Sequence, residues 1–93
     1  MSKFNLNSVV LTSRDVIFEH MPILVVFRDN DDSGIEWQFF HSADEDCVEE
    51  KLTLVSLQQI IDLDNTVTKL QNLPLGYVAQ RNSINDEWAY FPQ

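Results

Sequence analysis

Three short runs in the first forty residues limit what this chain can become. Val9-Val10-Leu11-Thr12, Ile23-Leu24-Val25-Val26-Phe27 and Ile35-Glu36-Trp37-Gln38-Phe39-Phe40 are rich in β-branched or aromatic side chains, which pack well on a pleated, half-buried surface. Each reads as a strand. Between the first two, Ser13-Arg14-Asp15-Val16-Ile17-Phe18-Glu19-His20 fits either a short strand or a single helical turn, with Met21-Pro22 as the break. The hydrophobic period changes after Ser56. Ser56 with Gln59 three residues on forms a capping box, and Leu57, Ile60 and Ile61 recur on one helical face. Asp64 caps a second turn carrying Val67 and Leu70, which Leu73-Pro74-Leu75-Gly76 ends. The residues from Gly76 to Arg81 and from Glu87 to Phe91, joined by a polar turn at Asn82-Ser83-Ile84-Asn85-Asp86, predict a closing β-hairpin. Most connections are too short for parallel crossovers. The expected fold is therefore α+β: a mainly antiparallel sheet of about five strands with one or two short helices packed on one face.

A chain of 93 residues suits a single domain, 1–93, with one core. Its 44% hydrophobic content belongs to a globular protein rather than a disordered one. No apolar run approaches the roughly 18 residues that span a bilayer, and Met1-Ser2-Lys3-Phe4-Asn5 lacks the apolar core of a secretory signal. A cytoplasmic location is expected. Cys47 is the only cysteine, so no internal disulfide forms, in keeping with a reducing compartment. Fifteen acidic against six basic side chains give a formal charge of −9. That balance argues against nucleic acid, whose phosphates are bound by Lys and Arg, and disfavours anionic membranes. It favours either plain solubility or a basic macromolecular partner.

The acidic residues fall in two clusters. Asp29, Asp31, Ser33 and Gly34 match the opening positions of an EF-hand loop, but its twelfth position is Phe40, which has no side-chain oxygen, and the flanks read as strands. The segment is better read as a hairpin connection, with Gly34 supplying a positive φ. The second cluster, His41-Ser42-Ala43-Asp44-Glu45-Asp46-Cys47-Val48-Glu49-Glu50, mixes four ligand types. Crowded like charges more often form a solvated loop than a metal site, and no metal or cofactor is expected. The two clusters flank one strand, so the candidate partner-binding residues are Asp29, Asp31, Asp32, Trp37, Asp44, Glu45, Asp46, Glu49 and Glu50. Trp37 and Phe39 alternate onto one face, and core is the favoured reading for that pair, beside an interface anchor. No nucleophile elbow or phosphate loop is present; His20 and His41 are the only imidazoles, and the carboxylates around Cys47 raise a thiol pKa. No catalytic residue is assigned.

The order of residues resembles a bacterial family, the domain of unknown function 2185 family. The likeness rests on Val9-Val10-Leu11-Thr12, Pro22-Ile23 leading to Phe27-Arg28-Asp29, Asp32-Ser33-Gly34 before Trp37-Gln38-Phe39-Phe40, and Asp44-Glu45. It continues through a helix ending near Asp62 and Asp64, Leu73-Pro74-Leu75-Gly76, Arg81 and Trp88. Ile35-Glu36 stand between the Ser-Gly pair and the tryptophan, and Ala43 occupies the place of a glycine. That family has been grouped with immunity proteins of bacterial polymorphic toxin systems. The resemblance implies a non-enzymatic protein that binds and neutralises a cognate toxin, and it supplies no catalytic residues; the acidic balance is compatible with a basic protein target. Two other expectations stand beside it: a small carboxylate-based or metal-dependent hydrolase, and a self-associating regulatory or scaffold module. Monomer and homodimer are both compatible with the sequence.

Overall fold

The computed structural model describes residues 5–29, 35–42 and 49–93. Among these described residues, six strands form one sheet: β1 (Val9–Ser13), β2 (Val25–Arg28), β3 (Trp37–Phe40), β4 (Leu52–Ser56), β5 (Tyr77–Gln80) and β6 (Ala89–Pro92), in the order β4-β1-β3-β2-β5-β6. Helix α1 (Arg14–Phe18) follows β1, and α2 (Leu57–Leu63) follows β4 and leads into a 3-10 stretch at Asn65–Leu70. The fold is α+β, and every strand pair is antiparallel except β1 with β3.

That one parallel pair has a simple origin. The chain leaves β1 through α1, lays β2 one place away, and turns back as β3 into the gap. Two reversals restore the original direction, so β3 runs alongside β1 without a helical crossover of its own. Thr12 and Phe39 face each other in this pair, and the buried Thr12 hydroxyl donates to the Phe39 carbonyl at 2.7 Å.

Local signals place the helices. The Ser13 hydroxyl accepts the Val16 N–H at 3.3 Å and starts α1, resolving the open segment after β1 as helix. The Ser56 hydroxyl accepts the Gln59 N–H at 3.2 Å, and the Asp64 carboxylate accepts the Thr66 N–H at 3.0 Å, so both caps lie where the sequence puts them. Gly76, at φ +82°, turns the chain into β5 and donates its N–H to the Arg28 carbonyl at 2.7 Å.

Both helical segments pack on one face of the sheet. Val16, Leu57, Ile60 and Val67 meet Val10, Val26 and Phe39 there, all buried. Trp37 belongs to the same core, only 5% exposed and stacked on Phe39 at 6.2 Å. It therefore leaves the set of candidate partner-binding residues, because an indole already packed cannot anchor a partner. The opposite face holds a smaller cluster around Val25, Phe40 and Val78, with Phe27 edge-on to Phe40. The sixth strand, β4, is the element beyond the five expected. Among the described residues, no helix is long and apolar enough to cross a membrane.

Candidate functional site

The sheet register decides which segments meet. Because β2 runs against both β3 and β5, the start of β2 lies beside the ends of β3 and β5. Leu24 N–H bonds the Phe40 carbonyl at 2.9 Å, and Arg81 N–H bonds the Leu24 carbonyl at 3.0 Å. At this end of the sheet, His20-Met21-Pro22 arrives from α1, His41 leaves β3, Leu63 and Asp64 link α2 to the 3-10 stretch, and Ile84 follows β5. Together they enclose an open cleft of about 720 Å³, within the usual size range of ligand-binding pockets. Both histidines of the protein are in its wall.

Arg81 holds the base of this arrangement together. Its guanidinium donates to the Ile23 carbonyl through Nε and Nη2, at 3.0 and 2.9 Å, to the Thr66 hydroxyl at 3.0 Å, and to the Asp64 carboxylate. The side chain is 1% exposed, and its charged end lies 4.1 Å from the centre of the Trp88 ring. A buried guanidinium is tolerated only when its donors and its charge are satisfied, and here a carboxylate, a carbonyl, a hydroxyl and an aromatic face do so. Burial exerts the largest single effect on the Asp64 carboxyl and pushes its pKa up. Hydrogen bonds from the Thr66 hydroxyl, the Arg81 guanidinium and the Thr66 N–H, with the Arg81 charge, together outweigh burial and hold that pKa below its ordinary value.

The histidines differ in their settings. His41 Nδ1 lies 2.9 Å from the Pro22 carbonyl. A carbonyl only accepts, so Nδ1 carries the hydrogen and the imidazole ties the end of β3 to the approach to β2. His20, just beyond α1, sits at φ +55°, the one non-glycine residue in the left-handed region among those described. Among the described residues, no three His, Cys, Asp or Glu side chains gather where a metal would sit.

The sequence-derived site residues are divided by the same register. Asp29 follows β2 at the opposite end of the sheet, where its carboxylate accepts the Gln93 amide at 2.7 Å and its N–H bonds the Glu36 carbonyl at 2.9 Å. Glu50 is exposed in the 3-10 turn Glu49–Lys51. That turn enters β4 opposite Ser13, the end of β1, which places it at the cleft end of the sheet. Asp31, Asp32, Asp44, Glu45 and Asp46 lie outside the described residues, as does the side chain of Glu49. The cleft itself has no contiguous signature in sequence: its walls come from five separated segments. The only usable hint is that Met21-Pro22 and Asn82-Ser83 are both breaks after regular elements.

Two arginine–tryptophan contacts lie in the fold. Arg81, Asp64 and Trp88 form one. In the other, Arg28 faces Trp37 across β2 and β3, with its guanidinium 5.0 Å from the ring, and binds Glu36 at 2.8 Å and the Leu73 carbonyl. Both contacts tie elements together. Comparisons of the chain with protein-family models, curated proteins and solved structures give no match.

Proposed function

We propose that this chain is a non-enzymatic, cytoplasmic binding protein of the immunity type, which occludes a basic protein toxin with an acidic surface. The observation that carries the reading is where the positive charge goes. Arg28 and Arg81, two of only six basic residues, are drawn into neutral pairs with Glu36 and Asp64, their side chains 20% and 1% exposed. A neutral pair leaves the net charge untouched, so the whole excess of nine negative charges rests on the remaining side chains. Such a surface draws a basic protein in and repels an acidic one. Asp44, Glu45, Asp46, Glu49 and Glu50 are the proposed contact residues, with Asp29, Asp31 and Asp32 as a second acidic segment.

The test uses the product of the neighbouring reading frame. Co-expression of the two chains should relieve toxicity and yield a stoichiometric complex. Changing the five residues from Asp44 to Glu50 named above into amides should slow association most at low salt, the two rates converging as salt screens the charges. A neighbouring product that is harmless and forms no complex would reject the immunity reading.

A further inference from the structure

We infer that the cleft between His20, His41 and Ile84 is the anchor point of the interface, receiving one large apolar side chain from a basic segment of the partner. This rests on the acidic-surface reading and adds a place to it. The chemistry of the cleft is mixed in a particular way. Its walls are largely apolar, from Val16, Met21, Pro22, Ile23, Leu63 and Ile84, and none of its described lining residues is Lys or Arg. Ile84 and Leu63 remain 58% and 40% exposed, so their apolar surface is available. Exposed Glu19, Asp62 and Asp86 stand one or two residues from lining positions. Arg81, next to the lining position Asn82, is buried and neutralised by Asp64, and exposed Arg14 stands two residues from Val16. An apolar recess with no lysine or arginine in its wall, whose exposed charged neighbours are three carboxylates to one arginine, selects an apolar side chain flanked by lysines or arginines.

Rigidity supports the same assignment. The wall at Ile23, Asp64 and Thr66 is fixed by Arg81, and that at Pro22 and His41 by the imidazole–carbonyl bond. A recess held open in advance adds affinity because little order is lost on binding, and interface hot spots are enriched in tryptophan and tyrosine seated in well-packed pockets.

The test needs no knowledge of the natural partner. Two synthetic peptides serve as probes, each with four lysines on either side of a central residue, tryptophan in one and serine in the other. Titration of the full chain at low salt, followed by NMR of the methyl groups, should show the tryptophan peptide binding about tenfold more tightly, equivalent to about 1.4 kcal/mol. The Leu63 and Ile84 methyls should shift. Ile84→Ser and Leu63→Ser, at exposed positions, should each erode that gain and leave the serine peptide's affinity unchanged, while Leu75→Ser, at the opposite end of the sheet, should keep it. Equal affinities for the two peptides would overturn the anchor and leave the acidic surface standing. A gain that survives in the Ile84→Ser, Leu63→Ser double variant would also overturn it. Free N-acetyltryptophanamide binding as tightly as the peptide would reassign the cleft to a small apolar ligand, and concentration-dependent dimerisation that shifts the same methyls would reassign it to a second copy. If neither peptide binds, the acidic-surface reading falls and the anchor with it.

Discussion

At the scale of single residues, Asp64 and Arg81 decide most. Asp64→Asn removes the countercharge of a buried guanidinium and should cost roughly 3 kcal/mol at neutral pH, near the lower end for breaking a buried pair. The loss is readable by urea denaturation. Its pH dependence follows from the depressed pKa. A carboxyl whose folded pKa lies below its unfolded one, about 3.9, adds stability above that value and loses it as pH falls through the folded pKa. The gap between wild type and Asp64→Asn should therefore be full at pH 7 and narrow below about pH 4. A gap unchanged in acid would mean that the carboxylate charge is not what stabilises the site. His20 offers a second test, because its left-handed backbone is a strained position for a residue with a Cβ. His20→Gly should raise stability by about 1 kcal/mol through relief of that strain. It also removes the imidazole from the cleft, so fold and binding can be followed separately in one variant.

Among the elements, the helix caps and hairpins were legible in the sequence and β4 was not. Ser56, Asp64 and the turn glycine Gly76 act through bonds within a few residues, so local chemistry announces them. The β2–β3 and β5–β6 hairpins likewise join runs adjacent in the chain. β4 carries Leu52 and Leu54 on one face and Thr53 and Val55 on the other, so it lacks the apolar–polar alternation that marks a half-buried strand. What makes it a strand is pairing along its full length with β1, about forty positions earlier. The parallel β1–β3 pair was hidden for the same reason, since strand order is a property of the whole sheet. Ser56→Ala should cost about 1 kcal/mol through loss of the Gln59 N–H bond, with no change in the antiparallel hairpins. Amide exchange should be slowest in the central β2 and β3 and fastest in β6, an edge strand whose four residues are all exposed.

For the whole molecule, charge is the governing quantity. With a formal charge of −9 the folded state repels itself, and screening relieves that repulsion. Thermal stability should rise with added sodium chloride at neutral pH; a flat response would mean that the carboxylates are too well separated to oppose compaction. The candidate site was only partly legible for a related reason. Composition revealed an acidic surface, but the cleft assembles from ends of β3 and β5, the approach to β2 and two helix termini, segments whose meeting depends on sheet register. Arg28, Trp37, Arg81 and Trp88, on which the expected family resemblance rests, prove to be ties between elements. The place of β1 has a further consequence for how the chain is made. Its two neighbours are β3 and β4, and its first bond across the sheet reaches a residue 27 positions later. During synthesis, the first of the six described strands waits without a neighbour in this sheet while α1, β2 and β3 are made. A chain halted anywhere before β3 would keep its Val9–Ser13 backbone open to other extended segments, making the nascent protein a client for chaperones until β3 arrives.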